Sequence, residues 1–312
     1  KNVKAYQFYL QGLYYRNIPT PENLNKAVSS YNEALKVDPD YALAHEGLAT
    51  VYMLMEFNTV EAAPGTAAPK ALEHAEKAIA ADPDLVGAYI VLGAVKSLRN
   101  YDLDERERYY LEALRRRPMN RTARLWLSNI YTARGAFERA EAEILKAQEV
   151  DPLSFGVRLT LAELYEFWGK PEKTIEQARL MLDLSPNDEY ANYLIAKSEL
   201  RLGNLAAAAD SFAKCPTFSY EGFLLHVRDG EIDEARRLAE KFAASDDGRR
   251  APYSAAIAFA AIGDRENAIA QLQRAYTMRQ ANLISMKVQP EFEILRSDDR
   301  YIQLLELVHL GD

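Results

Sequence analysis

Gly135, Gly169 and Gly203 stand 34 residues apart. Two more ladders keep step with them: Pro118, Pro152 and Pro186, then Ala140, Thr174 and Ala208. A recurring unit of this length is a helix-turn-helix that cannot bury its apolar face alone and must stack on its neighbours. The chain is therefore expected to be a solenoid rather than a globule around one core. Its 312 residues leave room for about eight or nine such units.

The cleanest unit runs from Arg121 to Pro152, and each of its positions has a physical job. Ser128, small and following Leu127, lets two helices approach, and Tyr131 fills the gap beside it. Gly135 ends the first helix, where a left-handed residue is needed. In the second helix Ala140 sits at the tightest contact, with Ile144 and Ala147 further along the same face. Asp151-Pro152 stops the helix and sets the turn to the next unit.

This pattern resembles the tetratricopeptide repeat, and the resemblance runs over nearly the whole chain. Leu161-Ala162, Tyr165, Gly169, Thr174, Ala178, Met181 and Pro186 form the next unit, and Ile195-Ala196, Gly203, Ala208, Phe212 and Cys215 the one after. In the latter Glu199 replaces the usual aromatic, which predicts weaker interior packing. The first repeat carries Gly12, Tyr15, Ala27, Tyr31, Ala34 and Asp38-Pro39, its turn lengthened around Pro19 and Pro21. The second carries Leu48-Ala49, Tyr52, Ala71, Ala75, Ala78 and Asp82-Pro83. Glu56 to Pro69 between its helices reads as a surface loop, either a contact or a tolerated spacer. The third carries Leu92-Gly93, Tyr110, Ala113 and Pro118. Arg106 stands where alanine is usual, so that hairpin is expected to splay or shift register. Later units are looser: Gly230, Ala235, Ala239 and Phe242, then Ala256, Phe259, Gly263, Ala268, Leu272 and Ala275, with Ser245-Asp246-Asp247-Gly248 read as a loop between them.

From Met286 to Tyr301 the repeat is lost. Ser297 or Asp298 can cap a final helix through Tyr301, Leu304, Leu305 and Val308 that covers the last hairpin. The expected fold is all-α: a right-handed superhelical solenoid of about eight hairpins plus a capping helix. It is one domain over 1–312, with N-terminal repeats and insertions in 1–120, regular repeats in 121–216, divergent ones in 217–280 and the cap in 281–312. The end of the chain, with the opening Ala5 to Gly12, is similar to a bacterial tetratricopeptide subgroup. The resemblance implies the C-terminal half of a longer signalling protein, whose N-terminal half is a winged-helix transcription regulator, a nucleotide cyclase or a Ser/Thr kinase.

Composition narrows the function. A net charge of −8 argues against a nucleic-acid surface. No apolar run approaches the ~18–20 residues that span a bilayer. One cysteine, Cys215, forbids an internal disulfide and reads as core. No signal peptide is visible at Lys1, which suggests a boundary within a longer chain and a cytoplasmic location. His45, His74, His226 and His309 lie far apart, and no pair has the spacing of a helical zinc site. Phosphate-cradling loops and nucleophile elbows are lacking; Gly12, Gly47 and Gly93 have packing roles. The chain is expected to be no enzyme, with no catalytic residue, metal or cofactor.

A partner belongs on the first helices, which in this family line the concave surface. The groove positions are Thr122, Leu125 and Asn129; Leu159, Glu163 and Phe167; Tyr190, Tyr193, Lys197 and Arg201. Their mixed lining suits an extended peptide or a helix of a protein partner; the chain's own preceding domain is a second candidate. The carboxylate clamp of one family subset is incomplete, because Leu125 and Leu159 stand where polar residues belong. Arg115, Arg116, Arg117, Arg121 and Arg124 form a basic cluster with two readings. One is an anion or acidic-partner patch. The other is ordinary helix C-terminal cations near Asp102, Asp104, Glu105 and Glu107. The leading expectation is a non-catalytic interaction module, the sensing or effector half of a bacterial transcription regulator or signalling protein. The alternatives are the regulatory region of a cyclase or kinase and a stand-alone scaffold.

Overall fold

The computed structural model describes residues 2–57, 66–97, 100–217 and 222–311, and no strand occurs among them. They fall into two compact units, Lys1–Trp126 and Leu127–Asp312.

The first unit holds α1 (Val3–Arg16), α2 (Pro21–Val37), α3 (Ala42–Phe57), α4 (Ala68–Ala81), α5 (Val86–Ser97) and α6 (Leu103–Arg116); α7 (Arg121–Ala133) begins in it. The helices pack as the hairpins α1–α2, α3–α4 and α5–α6. Side chains start them: the Asn2 amide oxygen accepts from the Lys4 N–H at 3.0 Å, Thr20 Oγ1 from Asn23 at 3.2 Å and Asp102 Oδ1 from Glu105 at 2.8 Å. Second helices bring small residues to the core, with Ala27, Ala34, Ala71, Ala75 and Ala78 fully buried. Gly12 and Gly47 lie against the Tyr31 ring, and Gly93 against Tyr110, the packing role expected of them. Arg106 does not splay its hairpin. It is buried beside Leu103, Tyr110 and Ala113, with α5 and α6 packed together. Part of the 56–69 insertion, residues 58–65, lies outside the described residues. Its end is not loop: α4 begins at Ala68, and Glu56 Oε2 accepts from the N–H groups of Ala67 and Ala68 at 3.0 and 2.9 Å. Glu56 thus serves α4 as an N-terminal anion.

In the second unit follow α8 (Phe137–Val150), α9 (Phe155–Phe167), α10 (Pro171–Leu184), α11 (Glu189–Arg201), α12 (Leu205–Phe212), α13 (Phe223–Arg228), α14 (Ile232–Ala244), α15 (Asp246–Arg250), α16 (Pro252–Ala261) and α17 (Arg265–Thr277). Two 3-10 segments, Ala281–Val288 and Pro290–Leu295, precede α18 (Asp299–Leu307). The turn glycines are left-handed, at φ +74, +70 and +82° for Gly135, Gly169 and Gly203, with Gly230 and Gly263 at +80 and +81°. Each is followed by an N–H that reaches back five residues, as Ala136 to the Tyr131 carbonyl at 2.8 Å and Asp264 to that of Phe259 at 2.9 Å. These are Schellman closures of the first helices.

Three local readings meet different fates. Ser245 to Gly248 is no loop: Ser245 Oγ accepts from the Gly248 N–H at 3.0 Å and starts the short α15. Cys215 is fully buried, as expected. The cap also forms as expected: Asp298 accepts from the Arg300 N–H at 2.9 Å, and Arg300 grips Glu266 on α17 with two bonds of 2.8 and 2.7 Å.

Candidate protein-interaction site

The inner strip of the second unit is built by the 34-residue period. Asn129, Glu163 and Lys197 occupy one repeat position on α7, α9 and α11. Asn129 is exposed, Glu163 half-buried and Lys197 buried. Glu163 accepts a hydrogen bond from Tyr190 Oη at 3.1 Å. Burial raises the Glu163 carboxyl above its ordinary pKa, and the Tyr190 bond opposes the rise. Tyr190 stacks on Tyr193, ring centroids 5.6 Å apart, and Lys197 Nζ lies over the Tyr193 ring.

Beside this strip stands a buried ion cluster. Lys197 Nζ lies 3.3 Å from both Glu166 Oε1 and Glu291 Oε1, and Arg201 contacts Glu166 Oε1 at 2.9 Å. Arg201 also donates to the Glu166 backbone carbonyl at 2.7 Å, and the Gln289 amide donates to Glu291. Burial works to raise the Glu291 carboxyl, but Lys197, Gln289 and Arg201 more than offset it and hold it below its usual range. Glu291 belongs to the second 3-10 segment. The chain's own C-terminal stretch therefore lies on the inner face of α11. Phe292, next in sequence, sits edge-on to Tyr253 of α16 and to Tyr301 of α18.

The expected groove positions differ in exposure. Tyr193, part of the apolar core, and Lys197, inside the ion cluster, are buried, at 8% and 6% exposure. Arg201 is half-buried in the same cluster. Leu159, Phe167 and Tyr190 are half-buried and Asn129 exposed, so the open part of the strip is Asn129, Leu159, Glu163, Phe167 and Tyr190. Thr122, exposed, and Leu125, half-buried, fall in the first unit. Glu166 and Glu291 were not singled out from the sequence. The period itself pointed to Lys197, but nothing local marks a carboxylate 94 residues further on as its partner.

In the basic cluster, Arg115 donates to Glu112 at 2.9 and 3.0 Å, Arg116 pairs with the same carboxylate and lies over the Tyr89 ring, and Arg124 donates to the Pro118 carbonyl. The two arginines pull the Glu112 carboxyl down to about 2. Glu112 is the carboxylate that Arg115 and Arg116 share, which favours a structural reading of these two.

The histidines hold a contact that sequence distance concealed. His45 Nδ1 and His74 Nδ1 lie 2.9 Å apart, and His45 Nε2 is 3.1 Å from the Pro39 carbonyl. A carbonyl only accepts, so His45 carries its proton on Nε2 and His74 donates from Nδ1. Burial, with His45 next, lowers the His74 pKa to about 4. Well above pH 6.5 both folded and unfolded imidazoles of His74 are neutral. As pH falls from 6.5 toward 4 the unfolded chain takes up the proton first, so stability drops. The loss is expected to be on the order of 2 kcal/mol after allowance for partial exposure. Urea midpoints at pH 7 and pH 4.5 check it: His74→Gln should show a smaller fall than the parent, and an equal fall would contradict the assignment.

No described helix is long and apolar enough to cross a membrane. No cluster of three or more potential metal ligands occurs among the described residues. Family models match residues 22–55 as a TPR repeat and 98–154 as a tetratricopeptide repeat. The chain carries tetratricopeptide repeats. Solved structures repeat the architecture. Human IFIT1, solved as a dimer with m7Gppp-AAAA, gives a TM-score of 0.58 at 17% identity over 98% of this chain and 71% of that one. PilW, a type IV pilus biogenesis factor, gives 0.55 at 21% over 69% and 93%. A thermophilic tetratricopeptide protein of Thermus thermophilus gives 0.52 at 21% over 63% and 99%. At such identities the likeness is one of fold. No curated protein matches the chain. Tetratricopeptide repeats are protein-interaction modules, typically non-catalytic scaffolds.

Proposed function

We propose that this tetratricopeptide chain is a non-catalytic module that receives a peptide or helix of a protein partner on the open strip Asn129, Leu159, Glu163, Phe167 and Tyr190. In this reading it is the sensing or effector half of a bacterial cytoplasmic transcription regulator or signalling protein. One observation carries the binding part. The inner face of α11 already accommodates an irregular chain segment, with Glu291 against Lys197. The neighbouring strip offers an incoming segment the half-buried rings of Phe167 and Tyr190, a carboxyl that accepts hydrogen bonds and an exposed amide. The signalling role rests on the likeness of the chain's two ends to a bacterial subgroup.

Short random peptides displayed on phage and selected on the intact chain test the binding part. Fluorescence anisotropy of a selected peptide should show about tenfold weaker binding to Phe167→Ala and Tyr190→Ala, with far-ultraviolet circular dichroism unchanged. Equal affinity for parent and variants would remove the strip as the binding surface. Tyr193 is a poor target, because its burial makes an alanine there a test of folding.

A further inference from the structure

Asn129, Glu163 and Lys197 share one repeat position on α7, α9 and α11, and are neutral, acidic and basic in turn. The basic one is already matched. Lys197 Nζ lies 3.3 Å from Glu291 Oε1, a carboxylate that the chain's own 3-10 segment brings to it. The acidic one has no such match. Glu163 accepts from Tyr190 Oη at 3.1 Å and forms no ion pair among the described residues. An ionised carboxyl offers about four acceptor sites, and the Tyr190 hydroxyl takes one. That hydrogen bond alone opposes the burial that raises the carboxyl, and no cation among the described residues contributes.

The surroundings of Glu163 select the kind of cation. Leu159, Glu163 and Phe167 follow one another at intervals of four along α9 and so form one row on its surface. All three are half-buried, as is Tyr190 on α11. The carboxyl thus has one half-buried ring about a turn along its own helix and another, hydrogen-bonded to it, on the neighbouring one. A guanidinium suits this setting better than an ammonium. It is planar, lies flat on an aromatic face, donates to a carboxylate through a fork of N–H groups, and is more weakly hydrated.

We propose that the partner segment received on the inner strip carries an arginine, whose guanidinium pairs with Glu163 and lies against the rings of Phe167 and Tyr190. The proposal rests on the strip being the binding surface and adds the chemistry of what it receives. The arginine does for Glu163 what Glu291 does for Lys197: it supplies the opposite charge at the same repeat position. The chain's net charge of −8 favours the approach of a cationic segment.

The probes are arginine-containing peptides from the phage selection on the intact chain, resynthesised with arginine, lysine or citrulline at that place. Citrulline keeps the shape and removes the charge. Fluorescence anisotropy should show the citrulline peptide binding the parent at least about tenfold more weakly than the arginine peptide. Glu163→Gln should weaken the arginine peptide by as much, and the two changes together should cost no more than either alone. Lysine should bind several-fold more weakly than arginine. Glu163→Gln keeps an oxygen for the Tyr190 hydroxyl, and circular dichroism checks its fold; the citrulline peptide leaves the chain untouched. Strip-binding peptides without arginine, equal affinity of the arginine and citrulline peptides, or an arginine peptide indifferent to Glu163→Gln would each overturn the proposal. If Phe167→Ala and Tyr190→Ala still weaken binding in those cases, the strip stands and only the arginine falls. Lysine as good as arginine would replace the guanidinium by any point charge and overturn the assignment. Peptides indifferent to Phe167→Ala and Tyr190→Ala as well would remove the strip, and the arginine with it.

Discussion

Replacing Lys197 by alanine is expected to destabilise the second unit by about 3–5 kcal/mol, the cost of leaving a buried charge without its partner. Two carboxylates, Glu166 and Glu291, lie 3.3 Å from this ammonium, at 7% and 13% side-chain exposure. Neither can turn to water without moving a helix or the C-terminal segment. Arg201 would remain for Glu166 at 2.9 Å, so Glu291 bears most of the loss. The sign of the pH response follows. Glu291 titrates below its ordinary range in the folded chain, so its contribution is full above the unfolded value near 4.5 and is lost as pH falls through the lower folded value. Urea denaturation of the parent and of Lys197→Ala measures the difference. The double variant Lys197→Met with Glu291→Leu should recover much of the loss, because a well-packed apolar pair needs no desolvation. A single variant as stable as the parent would mean that the ion cluster is not formed in solution.

In the first unit Gly47→Ala is expected to cost about 3 kcal/mol. A Cβ there would lie 2.5 Å from Tyr31 Cζ, and one on Gly12 would lie 2.5 Å from Cε1 of the same ring. The ring is held between two helices and fully buried, so it cannot swing aside as a surface side chain would. The clash is steric and local, which a second substitution exposes: Tyr31→Leu should recover part of the loss in the Gly47→Ala background. Tyr31→Phe alone should be near neutral or slightly stabilising, because the buried hydroxyl has no hydrogen-bond partner among the described residues. Thermal or urea unfolding reads both. A Gly47→Ala chain of parental stability would show that α1, α2 and α3 pack more loosely than described.

The repeat positions were legible because each residue does its work within one hairpin. A left-handed turn needs glycine, a close helix contact needs Ala140 or Ala208, and a proline two residues past α6, α8 and α10 stops each helix. Asp298 and its cap were legible for the same reason. What escaped are the contacts made over long stretches of chain. His45 and His74 are 29 residues apart, and Lys197 and Glu291 much further; no local pattern announces either pair. Arg106 misled in the other direction: a position that usually takes alanine here holds a buried guanidinium without opening the hairpin. Ser245 to Gly248 was misread because glycine and aspartate suggest a loop. Gly248 is there because a Cβ would collide with the Phe242 carbonyl oxygen. On the strip the period carries no information on which part of the helix face the chain's own end covers.

Photo-crosslinking tests the interaction reading most directly. A photoreactive residue is placed in the intact chain at Asn129, at Phe167 and, on an outer surface, at Leu145, which is 45% exposed, and each variant is mixed with the same phage-selected peptide. Crosslinks from positions 129 and 167 and none from 145 are the predicted result. Crosslinks from 145 alone would place the partner outside the strip and contradict it.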